Sequence, residues 1–364
     1  MKKVFFLPIL GFFFCASGYI QAQVHDPHTL SRIALREHVS FLASDSLEGR
    51  LTGTEGNLIA GEYIADRFAD IGLDEYNGTS YFHYFDVEIP SAIGEIPLVV
   101  LEGCNVIGVL PGTHPKLKNE YIIVGAHYDH LGTLHGNPGV IDSVYNGADD
   151  NASGTAVLIE TARYLKEKGG LPRTVVFVAF DGEEQGLWGS EHFLKDSLYP
   201  VSQIKTMISL DMVGYYRTSG VLKVIGTGTL EDSRQWLTPS DVLKVRFISF
   251  ENSLLGATDT RSFAKSQIPT LFITTGSESP YHKVEDQAEG IDYEGLVGVT
   301  SYVGRLVSML AAYSHLAPSG KYAVIHHVPE YAFFWGPSAA FGTNRFMHTR
   351  GVLEGRPGFY AAMG

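Results

Sequence analysis

The sequence predicts a single large α/β domain with a mixed, mostly parallel central sheet and helices on both faces. Two observations lead to this prediction. Short apolar runs of the kind buried in a central sheet recur along the chain, and amphipathic helical patterns lie between them. No internal repeat or low-complexity linker interrupts the alternation, so we expect one domain over residues 26–316, followed by a short β-like segment over 317–364.

The predicted strands are compact runs of apolar and β-branched residues. They cover residues 82–89, 97–101, 105–110, 121–126, 174–180, 206–210 and 270–275. The predicted helices show apolar residues at helical spacing over residues 28–72, 154–168, 190–195, 260–266 and 293–312. A polar, glycine-containing connection at 44–54 interrupts the first helical stretch. It is either an ordinary loop or one wall of a substrate cleft.

The composition indicates a foldable, acidic chain. Of its 364 residues, 45% are hydrophobic, which is enough to form a sizeable core. The formal net charge is −13, from 40 Asp and Glu against 27 Lys and Arg. Because no basic surface is available to neutralise phosphates, nucleic acid is excluded as an expected partner.

Residues 1–23 have the pattern of a secretory signal peptide. Lys2 and Lys3 precede an apolar run from Val4 to Cys15 that is too short to span a bilayer. We expect cleavage near Ala22 or Gln23 and export to the periplasm or the extracellular space, with no membrane span in the mature catalytic domain. One of the two cysteines then remains, so an internal disulfide is not expected.

Metal-ligating residue types follow the predicted central strands. His127, Glu184 and Asp211 come just after three of these strands, and His282 lies in the loop that leaves a fourth. Asp150 stands in a turn of small residues before a helix. Each residue alone is more often structural, but ligands gather at the carboxyl ends of strands in an open α/β sheet. Two imidazoles and three carboxylates form a set suited to zinc, with cobalt and manganese as alternatives.

The same segments offer residues for supporting roles. One carboxylate among five ligands can bridge two metal ions, and Glu183, next to Glu184, is then the natural general base. Asp129 follows His127 by two residues and is placed to accept a hydrogen bond from that imidazole.

Five short motifs carry a resemblance to a known family. They are Ala-His-Tyr-Asp-His-Leu-Gly at 126–132, Gly-Ala-Asp-Asp-Asn-Ala-Ser-Gly at 147–154, Asp-Gly-Glu-Glu at 181–184, Leu-Asp-Met-Val-Gly at 210–214 and Tyr-His at 281–282. Together they resemble the co-catalytic di-zinc aminopeptidases, which include bacterial leucyl aminopeptidases and are related to glutaminyl cyclases and glutamate carboxypeptidase II. The resemblance runs from about residue 42 to residue 306 and implies a zinc peptidase domain.

The resemblance implies a role for each ligand. His127 and Asp211 would hold one Zn²⁺, Glu184 and His282 would hold a second, and Asp150 would bridge the two ions. Glu183 would be the general base.

The resemblance also implies a cis peptide bond between Asp150 and Asn151, and it leaves Asp149 to support the loop. The chain departs from the family at Thr258-Asp-Thr260, where Ser-Asp-His is common, so the resemblance assigns no substrate role to that region.

The leading hypothesis is an exported metallo-aminopeptidase acting on peptides. A glutaminyl cyclase-like acyltransferase that uses one zinc ion is the alternative within the family. A metal-free exported binding protein would require a missing ligand or base, and none is missing. The sequence does not indicate the residues that contact the substrate side chain or the oligomeric state.

The predicted C-terminal segment has a different composition. Phe333, Trp335 and Phe341 alternate with small residues such as Gly336 and Gly342. This pattern is typical of the first hairpin of an outer-membrane barrel or of a β appendage, and it also fits a poorly ordered tail. The segment is therefore a candidate for outer-membrane association.

Overall fold

The computed structural model describes residues 27–89, 99–133, 144–237, 239–249 and 258–319, together with residues 350–351 and 359–360. The predicted signal peptide at 1–23 and most of the predicted C-terminal segment lie outside these residues. The domain boundaries therefore stay predictions.

Helices and strands alternate along the described chain. The helices are α1 (Pro27–Leu42), α2 (Glu55–Ile71), α3 (Gly154–Lys168), α4 (Trp188–Lys195), α5 (Tyr216–Ser219), α6 (Ser233–Trp236), α7 (Thr260–Lys265) and α8 (Tyr293–Ala312). The strands are β1 (Asp74–Glu75), β2 (Phe82–Ile89), β3 (Val99–Leu110), β4 (Tyr121–His127), β5 (Thr174–Phe180), β6 (Ile204–Leu210), β7 (Leu222–Ile225), β8 (Val245–Ile248), β9 (Thr270–Thr274), β10 (Arg350–Gly351) and β11 (Phe359–Tyr360).

The main sheet has the order β1-β3-β5-β4-β6-β9-β7-β8, and β2 pairs with β3. The four central strands β5, β4, β6 and β9 run parallel to one another. β3 is antiparallel to β5, and β7 is antiparallel to β9. The predicted mixed α/β fold is confirmed, and its continuous parallel part consists of the four central strands. Separately, β10 and β11 form a short antiparallel pair.

Side chains that alternate along the central strands supply a core on each face of the sheet. Ile122 and Val124 pack into the core formed with α1, α2, α3 and α8. Ile123, between them, packs into the opposite core together with Phe193 of α4 and Phe263 of α7. Because successive strand residues point to opposite faces, a strand covered on both sides must be apolar throughout.

α8 is the one helix in the described ranges whose length and apolar composition would suffice to cross a membrane. In the fold, however, 67% of an apolar 18-residue stretch of this helix is buried. Packing against α1 and α3 in the core accounts for this apolar character.

A buried histidine–glutamate pair joins α1 to α3. His38 Nε2 lies 3.2 Å from Glu160 Oε1, and Arg163 Nε donates to the same oxygen at 3.0 Å. His38 Nδ1 also lies 2.7 Å from the hydroxyl of Tyr63. Burial alone raises the pKa of Glu160, but the hydrogen bonds from His38 and Arg163 outweigh this effect and hold the pKa below its ordinary value.

We expect Glu160→Gln to lower the free energy of unfolding at pH 7 by about 1–3 kcal/mol, because a charge-assisted hydrogen bond is replaced by a neutral one. The folded pKa of Glu160 is depressed, so its contribution is present above the unfolded carboxyl pKa and is lost as the pH falls through the folded value. The difference from the wild type should therefore shrink towards acid pH, which urea unfolding at several pH values would measure. The exposed Glu167→Gln on the same helix is the control, and equal stabilities of the two variants at pH 7 would contradict the prediction.

Candidate metal centre

All five predicted ligands meet at the carboxyl edge of the parallel strands. His127 is the last residue of β4, and Asp211 directly follows β6. Glu184 lies in the loop after β5, and His282 lies in the loop after β9. Asp150 belongs to a kinked helical turn, Ala148–Ser153, that leads into α3. The parallel direction of the strands brings these distant segments together.

Asp150 lies at the centre of the group. Its Oδ1 is 3.2 Å from His127 Nε2, and its Oδ2 is 3.2 Å from His282 Nε2. His127 Nε2 is also 3.6 Å from Asp211 Oδ1, and His282 Nε2 is 3.2 Å from Glu184 Oε1. The site thus contains two groups of possible ligands that share the carboxylate of Asp150.

These spacings fit a tetrahedral cation. With Zn–N and Zn–O bonds of about 2.0–2.2 Å, two ligand atoms on one ion lie about 3.3 Å apart. The ligand atoms of His127, Asp150 and Asp211 all lie within 4.8 Å of one another. Asp211 Oδ1 is buried and accepts no hydrogen bond from any residue that the structure describes. A buried carboxylate oxygen without a donor is costly unless a cation balances it, so the residues fit the metal.

The electrostatics of the site favour positive charge. Burial alone would raise the pKa of Asp150, but the imidazoles of His127 and His282, each 3.2 Å from one of its oxygens, hold it well below its ordinary value. Burial likewise raises the pKa of Glu184, but the positive charge of His282 and the hydrogen bond from His130 outweigh it and lower this pKa to about 2. The pKa of His282 is raised well above its ordinary value, since the charge of Glu184 and the hydrogen bonds with Asp150 and Glu184 outweigh its burial. A divalent cation would compete with protons for the same atoms, so its binding should release protons.

Glu183, the predicted base, lies among these charges. Burial and the nearby carboxylates of Glu184, Asp259 and Asp211 raise its pKa well above the ordinary value, although the charge of His127 opposes them. A carboxyl group that retains a proton more readily is suited to proton transfer near neutral pH.

Asp129 holds the main chain of the base. Its Oδ1 accepts the backbone N–H of Glu183 and its Oδ2 accepts that of Glu184, both at 3.1 Å. The prediction that its side chain orients His127 needs refinement. His127 Nδ1 lies 3.2 Å from the main-chain oxygen of Asp129 but 3.7 Å from its carboxylate.

Asp149 lies beside the ligand groups without joining them. Its Oδ1 accepts the backbone N–H of Gly214 at 2.7 Å and the Ser153 hydroxyl at 3.1 Å. Burial and the charge of Asp286 raise its pKa to about 8. The structure therefore places Asp149 in support of the loop.

The peptide bond between Asp150 and Asn151 is cis, as the resemblance implies. Asn151 then connects the turn to its surroundings, because its Nδ2 donates to the Leu210 carbonyl and its Oδ1 accepts the Gly154 N–H, both at 2.9 Å. Ser153 connects the same turn to the segment after β6, because its hydroxyl oxygen accepts the backbone N–H of Val213 at 3.1 Å.

Three further residues at the centre were missed by the sequence reasoning, namely Arg50, His130 and Asp286. The carboxylate of Asp286 accepts the backbone N–H groups of Asp149 at 3.0 Å and of Asp150 at 3.1 Å. The only signal for Asp286 is its position four residues after His282, and His130 lies inside the first motif.

Arg50 gives the polar connection at residues 44–54 a structural role. Its fully buried guanidinium donates to the carbonyl oxygens of Tyr128 at 2.8 Å, Asn146 at 2.7 Å and Gly147 at 3.1 Å, and also to that of Leu42. One side chain thus joins the end of α1, the segment after β4 and the turn before Asp150. Arg50 thereby holds together the main-chain segments on which the metal-ligating side chains stand.

Arg50→Lys is expected to lower the free energy of unfolding of the metal-stripped protein by about 3–5 kcal/mol. A lysine retains the charge, but its single nitrogen cannot reach carbonyl groups on three segments, and each unpaired buried carbonyl costs about 1–3 kcal/mol. Urea unfolding would measure the difference, with the exposed Arg36→Lys on α1 as the control. The bracing role would be excluded if both variants unfolded at the same urea concentration.

A mixed α/β sheet with clustered imidazoles and carboxylates at its carboxyl edge defines a candidate metal-dependent peptidase. The chain belongs to peptidase family M28, whose family model matches residues 105–307, more than half of the chain. The family indicated by the five motifs is confirmed.

Comparison with individual proteins gives the extent of the similarity. Leucine aminopeptidase 1 of Phaeosphaeria nodorum is 26% identical over 212 residues, which cover 53% of this chain and 52% of that protein. The chain therefore spans about half the length of this relative. BSAP, a zinc aminopeptidase from Bacillus subtilis, superposes with a TM-score of 0.59 at 19% identity over 79% of this chain and 95% of that one.

The fold is also similar to that of Porphyromonas gingivalis glutaminyl cyclase. The TM-score is 0.55 at 19% identity, over 77% of this chain and 97% of that chain. Similarity at this level of identity shows the fold alone. The choice between hydrolysis and cyclisation therefore depends on the site of this chain.

Proposed function

We propose that the protein is a zinc-dependent aminopeptidase that hydrolyses N-terminal residues from peptides, with Glu183 as the general base. The observation that carries this proposal is the position of Asp150. Each of its two carboxylate oxygens lies 3.2 Å from the imidazole of a different ligand group. A carboxylate placed in this way can be shared by two cations, as a two-metal hydrolase requires.

His127 and Asp211 would hold one Zn²⁺, His282 and Glu184 would hold the other, and Asp150 would bridge them. When bound, the ions supply Lewis acidity and lower the pKa of coordinated water. The side chains around them are buried or half-buried, so the chemistry takes place away from bulk solvent.

Glu183 moves the proton in this scheme. Its carboxylate takes a proton from the attacking water and delivers it to the leaving amine nitrogen. Asp129 holds the main chain at Glu183 and Glu184 through two hydrogen bonds of 3.1 Å, so the base and the neighbouring ligand stay in a fixed relation. Precise placement of this kind is a large part of what such a site contributes to the rate.

The fold similarity to a glutaminyl cyclase makes one-zinc cyclisation the second candidate. The group formed by His127, Asp150 and Asp211 supports hydrolysis, since its ligand atoms lie close enough together to hold a second cation. A metal-free binding protein fits less well, because every predicted ligand is present and the ligands lie together.

The test begins with the purified mature protein, its metal content and its products. We expect about two zinc ions per chain and release of the first residue from aminoacyl amides and free peptides. N-acetylated peptides are the control, because an aminopeptidase should leave them intact. One zinc ion per chain, together with pyroglutamate formation from N-terminal glutamine peptides, would favour the cyclase.

We also propose that the protein is exported to the periplasm or the extracellular space, with residues 317–364 as a candidate for outer-membrane association. The signal-like pattern of residues 1–23 supports export. Cell fractionation would test it, and retention of an uncleaved chain in the cytoplasm would refute it.

A further inference from the structure

His130 is a fully buried imidazole that the proposed ligand set does not use. Its Nδ1 lies 2.9 Å from Glu184 Oε1, and its ring meets that of His282 edge-on with centroids 5.8 Å apart. The ligand atoms of His130, Asp150 and Glu184 lie within 4.8 Å of one another. The group of possible ligands around Glu184 therefore contains two imidazoles, those of His130 and His282, and their roles must be distinguished.

Distances distinguish them. His282 Nε2 is 3.2 Å from an oxygen of Asp150 and 3.2 Å from an oxygen of Glu184. This equals, within error, the separation of about 3.3 Å between two ligand atoms on one tetrahedral zinc ion. The 2.9 Å between His130 Nδ1 and Glu184 is shorter and is typical of a charge-assisted N–H···O hydrogen bond. His282 is thus placed to bind metal and His130 to donate a proton.

The chemistry of Glu184 determines the direction of the hydrogen bond. An ionised carboxylate can only accept, so Nδ1 of His130 carries the hydrogen. Glu184 Oε1 then faces the His130 donor and the His282 nitrogen at once. A carboxylate oxygen has two lone pairs, so it can accept this hydrogen bond and bind a cation simultaneously.

The surroundings of His130 hold its ring in place. Its backbone N–H donates to the carbonyl of Arg50 at 3.2 Å. Its ring packs against Gly147, where an added β-carbon would come within 2.5 Å of the ring Cδ2 atom. His130 Nε2 has no hydrogen-bond partner among the described residues. The ring is therefore fixed between the turn that carries Asp150 and the loop that carries Glu184.

We propose that His130 is a positioning residue for the metal centre. It orients Glu184 through its Nδ1–H hydrogen bond and so raises the metal affinity of the group formed by Glu184 and His282, without itself binding the metal. The inference rests on the proposed function only in requiring a metal at this group.

The test compares two variants of His130 by zinc affinity. His130→Asn places an amide N–H near the position of Nδ1, whereas His130→Phe fills the space without a donor. Metal-stripped protein is titrated with zinc against a chromophoric chelator. We expect His130→Phe to weaken one of the two zinc sites by about 10–100-fold and His130→Asn to stay within about threefold of wild type. The other site should be unchanged in both variants.

His38→Asn is the matched control, because His38 is also buried and also pairs with a glutamate, at 3.2 Å from Glu160, away from the centre. It should reduce stability and leave both zinc affinities unchanged. If His130→Phe does not fold, His130→Ala replaces it, since this change also removes the donor.

Two outcomes would overturn the inference. Unchanged zinc affinity in His130→Phe or His130→Ala would exclude a positioning role. Loss of affinity in His130→Asn, with one imidazole fewer around zinc by X-ray absorption, would make His130 a ligand. Because zinc affinity is measured without substrate, a protein that binds two ions and cleaves no peptide would refute the proposed function and not this inference.

Discussion

Glu183→Gln is expected to lower kcat/KM for aminoacyl amides by roughly 10²–10⁴-fold while the zinc content stays at the wild-type level. Glutamine has nearly the same shape as glutamate, and its backbone N–H can still donate to Asp129 as in the wild type. Its amide cannot take a proton from water. Turnover and metal content measured on the same preparation would therefore separate proton transfer from metal binding.

Glu191→Gln is the matched control for this change. Glu191 is exposed on α4 and pairs with Lys265 at 3.2 Å, so its replacement should leave kcat/KM unchanged. Equal turnover in the Glu183 and Glu191 variants would show that the base has been assigned wrongly. Parallel loss of zinc and activity in Glu183→Gln would instead make Glu183 a ligand.

The central strands could be predicted because burial on both faces demands uninterrupted apolar sequence. β5 was predicted to the residue, and so was α8, whose apolar face packs in the core. The short strands β7 and β8 were missed, because four residues show too little periodicity, and Val245 and Ile248 are only partly buried. β3 was predicted as two strands, since Glu102-Gly103 interrupts the apolar pattern of what is one continuous strand.

Four of the ligands could be predicted because each lies at or just beyond a strand end, and Asp150 because it lies in a turn of small residues before a helix. Arg50 and His130 could not, because their contacts depend on how distant segments meet. Arg50 acts on carbonyl oxygens, which every residue has, so no residue type at a given spacing marks its partners. Asp129 shows the same limit. Its position in the sequence predicts a hydrogen bond with the imidazole of His127. Its carboxylate instead accepts the backbone N–H groups of Glu183 and Glu184.

The adjacent acids Asp149 and Asp150 offer the sharpest test of the two-metal arrangement. Asp150→Asn should weaken both zinc sites, because it removes the carboxylate that lies between His127 and His282. An amide is neutral and a poor ligand, so we expect each affinity to fall by at least about 10–100-fold. The rise in melting temperature on zinc addition should shrink accordingly, since ligand binding to the folded state is what produces it.

Asp149→Asn should leave both zinc affinities close to wild type. The Asp149 side chain accepts hydrogen bonds from Gly214 and Ser153, and an asparagine oxygen can accept the same bonds. Burial and the charge of Asp286 raise the pKa of Asp149 and so favour its neutral form, which an amide resembles closely. Zinc titration and thermal unfolding of both variants would decide the matter. If Asp149→Asn lost both ions and Asp150→Asn retained them, the bridging acid would be Asp149. The roles assigned here to Asp149 and Asp150 would then be exchanged.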